Sequence, residues 1–400
     1  MSSQSFLVPL CVIVGANTFS IGGFAPLLPE MSRGAGLADW ELGILAGVFG
    51  FARMISDLPA GLVIQRHLRQ ALLCAPLGII AGVSCLGAGG PFWLLVLGRG
   101  LMAVGHTLGM LGGLTAVLRY AAPQRLGASL NVYEFSAMIG MLGGVMLVGS
   151  LPAAMPWNIA LIVTCSPQLI GMLILPLALR ALPRESAVDP ATPTDPAIAS
   201  PPRPAAGSSR LVVLAFAAGT ALALTYTTVE QFLLPLRASR EFGLGRSGIA
   251  SLLMTSQLAD LLALLPVGLW ADRRGVARML GTVLFALAAG ALLIGFGTLP
   301  LMAIGCASLG LGMAGWMLPL GVIRSVTSAE RIGWLTAFYR VSIDAGMFLG
   351  PLVGGLLGLG RAGLLPLVSA TAMATVAVLL LRTPAPGDWP ATSPAGSPHL

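Results

Sequence analysis

Nine ionisable side chains stand inside long apolar runs of this sequence: Arg53, Asp57, Arg99, His106, Glu134, Glu230, Asp260, Arg340 and Asp344. If those runs cross a bilayer, each charge costs at least about 2.5 to 3.5 kcal/mol at mid-depth, so it must be paired, wet or used. Arg53 and Asp57, like Arg340 and Asp344, are spaced i,i+4, and each pair can close on one helix face. Arg99 and His106 lie seven positions apart on one face of a run that carries no acid. Arg99 therefore suits an anionic group or a carboxylate from elsewhere in the fold. His106 suits a proton step or a plain hydrogen bond. Glu134, Glu230 and Asp260 have no local cation, and a carboxyl out of water passes readily between its charged and neutral forms. Glu134 and Asp260 are the better proton carriers of the three, because Glu230 sits beside Gln231 near the end of its run, within reach of water. Asn17, Thr18, Ser20 and Thr225 to Thr228, Tyr226 among them, offer neutral hydrogen-bonding groups, and Trp316 an aromatic wall. Small hydroxyls serve helix packing equally well.

The elements that hold these residues are dictated by composition. The chain has 400 residues, 56% hydrophobic and only 9% charged, with mean hydropathy +0.89. A soluble domain carries about 25% charged residues. This is an all-α integral membrane composition. Apolar runs predict twelve helices, at 6–29, 41–64, 71–90, 92–117, 127–149, 156–179, 211–236, 247–270, 277–298, 300–323, 333–358 and 362–382. The run at 6–29 lacks a basic leader and is expected to stay in the membrane. Residues 181–210, rich in Pro, Ala and Ser, read as a linker, which divides the chain into a bundle at 1–180, a bundle at 211–383 and a tail at 384–400.

All 22 basic residues are Arg, and they fall between apolar runs rather than on one solvated face, which argues against nucleic acid despite a pI near 9.8. With both termini in the cytoplasm, 14 arginines lie in inner loops, 5 in outer loops and 3 in spans, which favours that orientation in a multi-pass cell-membrane protein. The five cysteines lack metal-ligand spacing, and His67, His106 and His399 are dispersed. No HExxH is present, nor a phosphate-binding loop with its Lys. Metal, cofactor and enzyme readings are therefore set aside.

The halves repeat. Tyr133-Glu134, Gly140-Met141 and Gly144 recur as Tyr339-Arg340, Gly346-Met347 and Gly350, 206 positions on, and Gly61 answers Gly268. In the stretch GLWADRRGVAR, Gly268 and Gly275 allow a tight turn, and Asp272 can accept hydrogen bonds from Arg273 or Arg278. This stretch closely resembles the cytoplasmic G-x-x-x-D-R loop signature of the major facilitator superfamily. The first-half copy, from Gly61, has Gln65 where the acid belongs. LGRGLMAVGHTLG is similar to that family's membrane-embedded Arg motif, with Arg99 and Gly105 in register. GMFLGPLVGG, with Gly346, Gly350, Pro351, Gly354 and Gly355, fits its G-x-x-x-G-P-x-x-G-G motif, but in span eleven rather than span five.

The resemblance implies two pseudo-symmetric six-helix bundles around a cavity lined by spans one, four, seven and ten. Spans two, five, eight and eleven form the moving seams, and three, six, nine and twelve face lipid. All nine buried charges avoid the lipid-facing set. It further implies a monomeric secondary transporter for a small organic solute, with protons as coupling ion. Gly268, Asp272, Arg273 and Arg278 become an inner gate, and Arg53, Asp57, Arg340 and Asp344 an interface able to exchange partners between spans two and eleven. Export, uptake of an organic anion guided by Arg99, and a sensor or assembly factor without flux of its own all remain open.

Overall fold

The computed structural model describes residues 6–122, 125–183, 208–327, 329–358, 360 and 363–383. Most of the expected linker and all of the tail, with Arg184, Arg203, Arg361 and His399, lie outside them. Every described segment that crosses the apolar slab is helical, as it must be where no water can satisfy backbone groups. The helices are α1 (Leu7–Gly22), α2 (Leu28–Gly34), α3 (Asp39–Gly87), α4 (Phe92–Tyr120), α5 (Leu126–Ser150), α6 (Trp157–Cys165), α7 (Gln168–Ala181), α8 (Ser208–Thr225), α9 (Leu234–Arg240), α10 (Arg246–Arg274), α11 (Val276–Phe296), α12 (Leu299–Met313), α13 (Leu318–Val326), α14 (Ala329–Leu357) and α15 (Leu364–Arg382).

Eleven helical segments among the described residues are long and apolar enough to span. One of them, α3, has 49 residues. At 1.5 Å per residue it is roughly 70 Å long, enough for two crossings. Its backbone leaves the helical region at His67 (φ −137°, ψ 49°), and the two limbs are spans two and three of the expected twelve. The loop expected near residues 65–70 is thus a break within one helix. Arg119 donates to the Gln65 carbonyl across that break at 3.1 Å, and Arg69 to the Leu182 carbonyl at 2.9 Å.

Spans one, seven and ten are interrupted. A 3-10 turn at Ala25–Leu27 separates α1 from α2, a π-helical stretch at Tyr226–Leu233 joins α8 to α9, and residues 314–317, Trp316 among them, part α12 from α13. Pro26, Pro29, Pro235 and Pro319 lie within or beside the breaks. These are three of the four spans that the resemblance assigns to the cavity, and interrupted helices are where transporters of several folds build their sites.

Glycines set how closely the spans approach. Gly140 and Gly144 of α5 lie against span one at Gly15, Thr18 and Phe19, while Gly346 and Gly350 of α14 lie against span seven at Thr220, Leu224 and Thr228. The sequence repeat is thereby a packing repeat. Between the halves, Gly43, Gly47 and Gly50 of span two meet Gly355, Pro351, Phe348 and Asp344 of span eleven, so closely that a Cβ on Gly47 would stand 2.7 Å from the Phe348 carbonyl oxygen. The G-P-x-x-G-G motif thus faces spans two and seven together. Gly268, expected at the turn, lies inside α10; Gly275 makes the turn alone, with φ +90°.

Candidate functional site

The four seam charges do not pair along their own helices. Arg53 Nη2 stands 3.2 Å from Asp344 Oδ1, and Arg340 Nη2 stands 2.8 Å from Asp57 Oδ2, with Nε donating to the same oxygen at 2.9 Å. Both pairs cross from span two to span eleven. The i,i+4 closure is corrected by the antiparallel register of the glycine-lined seam, which brings each Arg opposite the other helix's Asp. Asp344 and Asp57 are buried.

A second set of bonds joins the halves at the span ends remote from Ala181 and Ser208. Arg246, almost fully buried at the start of α10, pairs with Glu30 of α2 through Nε and Nη2 and donates to the Pro152 and Met155 carbonyls. Arg240 pairs with Asp39 at 2.7 Å, and Arg33 donates to Ser239 at 3.0 Å. We call this the clasped end. Beside it is a shallow recess of about 440 Å³, lined in part by Glu30, Arg33, Trp157 and Arg246. At the opposite, linker end, Gly61, Gly127 and Gly268 have nothing within 4 Å where a Cβ would stand, which is equally true of Gly36, Gly243 and Gly245 at the clasped end. Asp272, Arg273 and Arg278 are exposed there. Counted by loop, Arg33, Arg240 and Arg246 are only anchors of topology, and the clasp goes unseen.

Between the two ends lies a polar and aromatic compartment. Arg99, 5% exposed, stacks its guanidinium over Phe24 at 3.6 Å and Phe49 at 4.5 Å, and its Nε and Nη1 have no hydrogen-bond partner. His106 packs on Phe49 with ring centroids 5.7 Å apart, and its Nδ1 also lacks a partner. Asn17 is fully buried against Gly109 of span four, neither side-chain atom hydrogen-bonded. From the second half, Tyr226 meets Trp316 edge-on at 6.2 Å and turns its hydroxyl toward Met141 Sδ at 3.7 Å.

Glu230 is not wet: it is 1% exposed in the π-helical stretch, where Ser256 donates to it at 3.0 Å and Gln231 at 3.5 Å. Its burial comes with the contact from Ser256 of α10, which a position near the end of a run does not show. Glu134 is exposed and Asp260 half-buried. Arg340 is within electrostatic reach of Glu134, and Glu230 of Asp260.

Two six-helix bundles meeting at charged seams around broken, polar spans define a membrane transporter. The chain belongs to the Major Facilitator Superfamily, whose family model matches residues 10–237 and 231–398. It is similar to human protein spinster homolog 1, 27% identical over 202 residues, which are 48% of this chain and 38% of that protein. It is also similar to the human solute carrier family 2 facilitated glucose transporter member 10, 27% identical over 158 residues, or 38% of this chain and 29% of that one. The matches thus span well under half of those relatives. Among solved structures, a mutant peptide transporter POT superposes with a TM-score of 0.77 at 14% identity, covering 94% of this chain and 93% of that one. A mutant nucleoside transporter NupG gives 0.73 at 13%, covering 94% and 99%. At these identities the likeness is one of fold. Family and fold mark a transporter rather than an enzyme.

Proposed function

We propose that this protein is a monomeric secondary active transporter that moves a small organic solute by alternating access, coupled to protons, in the direction of export. In this reading residues 1–180 and 211–383 are the rocking bundles. The linker at 181–210 and the tail at 384–400 lie in the cytoplasm of a cell-membrane protein, the orientation that the arginine distribution favours. The supporting observation is the clasp itself: Glu30–Arg246 and Asp39–Arg240 join the halves at the end remote from the linker. A site reached from the linker end takes solute from the cytoplasm, which suits export.

Arg99, His106, Asn17, Tyr226 and Trp316 form the solute compartment, and Glu134, Asp260 and Glu230 carry protons. Arg53, Asp57, Arg340 and Asp344 hold the seam. Gly268, Asp272, Arg273 and Arg278 gate the linker end when it closes. Uptake of an organic anion is the second reading, favoured by the unpartnered nitrogens of Arg99.

The test is flux in proteoliposomes with an imposed proton gradient. Glu134→Gln should abolish gradient-driven accumulation while leaving solute counterflow. Equal loss of both, or flux indifferent to the gradient in the parent protein, refutes the coupling. Absence of flux across a broad metabolite panel refutes the transporter of its own solute.

A further inference from the structure

Arg99 and Glu230 are buried ionisable groups, a cation and an acid, one from each half, and no ion pair of the described residues satisfies either. Arg99 leaves two nitrogens unpartnered between Phe24 and Phe49. Glu230 receives its hydrogen bonds, among the described residues, from the neutral donors Ser256 and Gln231. The nearby charged group on its side, Asp260, has the same sign. An unpaired buried charge costs several kcal/mol, so each invites a partner from outside the chain.

Both groups belong to one compartment. Phe24, under the Arg99 guanidinium, packs in one apolar cluster with Phe232 of the π-helical stretch that holds Glu230, and Tyr226 of the same stretch turns its hydroxyl to Met141 of the first half. On α10, Ser256, Gln257 and Asp260 fall within about a 100° arc of the helix. Ser256 touches Glu230, and the neighbouring Gln257, 7% exposed, holds an unpartnered carbonyl oxygen. The second-half wall is therefore made of acceptors and of the aromatic pair Tyr226 and Trp316, a setting for an ammonium group. The first-half wall presents a guanidinium, whose fork suits a carboxylate or phosphate.

Resting on the transporter reading above, we propose that the solute is a small zwitterion, with its anionic group on Arg99 and its ammonium on Glu230, assisted by Asp260 and Gln257. A simple anion fills only the Arg99 side, and a simple amine only the Glu230 side. A zwitterion satisfies both and, because Arg99 is on span four and Glu230 on span seven, it ties the two bundles to each other.

The test is binding to the purified full-length protein, followed by the shift of its thermal unfolding midpoint. The probes are glycine, phenylalanine, 4-aminobutyrate and 6-aminohexanoate, each beside the amine and the carboxylate of matching skeleton. At least one amino acid should bind saturably, with its matched amine and carboxylate at least tenfold weaker. Arg99→Gln should erase the advantage over the amine, Glu230→Gln the advantage over the carboxylate, and Arg99→Lys should keep it. If both neutral variants fail to fold, the comparison of matched probes on the parent protein still decides. A singly charged probe that binds as tightly as its zwitterion, or a panel with no binder, overturns the proposal. Binding without counterflow in proteoliposomes leaves the zwitterion site and removes the transport reading. Flux of a neutral or singly charged solute in its place does the reverse.

Discussion

Arg340 reaches past Asp344, four residues along its own helix, and bonds Asp57 on span two at 2.8 Å, leaving Asp344 to Arg53. Breaking a fully buried pair costs about 3 to 5 kcal/mol. With the Arg340 side chain 36% exposed, a loss of about 1 to 2 kcal/mol is expected for Asp57→Asn. Reversing the pair across the seam, Arg340→Asp with Asp57→Arg, should recover most of that in thermal unfolding. Reversing within one helix, Arg53→Asp with Asp57→Arg, should not, because it sets like charges against each other across both pairs. Recovery by the second reversal and not the first would restore the i,i+4 pairing.

The clasp gives a second expectation. Arg246→Gln leaves Glu30 partly buried without its cation and should shift the population away from the clasped conformation by about tenfold or more. Spin labels on cysteines placed at Ala154 and Gly245, both lining the recess, should report longer distances in the variant. Identical distance distributions would show that the clasp does not hold this end.

Glycines on the same span should behave oppositely. Gly47→Ala forces a Cβ against the Phe348 carbonyl and should cost about 1 to 3 kcal/mol. Gly61→Ala, in helix with open space around it, should be neutral or gain up to about 1 kcal/mol. Unfolding curves of the two variants separate them. Gly268→Leu is expected to fold normally yet slow counterflow, if the linker end closes onto α10 during the cycle.

The number of spans and the glycine repeat are legible in the sequence because each rests on local chemistry: apolar length, and an offset that counting alone detects. Crossed pairing at Arg53 and Asp344 is not, since i,i+4 spacing describes one helix and the seam's register belongs to two. Glu230 is misplaced for a related reason: its place beside Gln231 near the end of a run suggests water, and the α10 packing that buries it belongs to another helix. The clasp is not legible, because a charge count for topology takes Arg240 and Arg246 loop by loop and says nothing of the acids, Asp39 and Glu30, that they meet. Which unpartnered groups share the Arg99 compartment depends on packing between halves, beyond any periodicity.

Arg246 binds Glu30 of α2 and the Pro152 and Met155 carbonyls of the turn after α5 from its place on α10. One side chain thus rivets three strata of the molecule, and the recess beside it is a keyhole on the shut face. Loss of that one side chain therefore releases α2 and the turn after α5 from α10 at once.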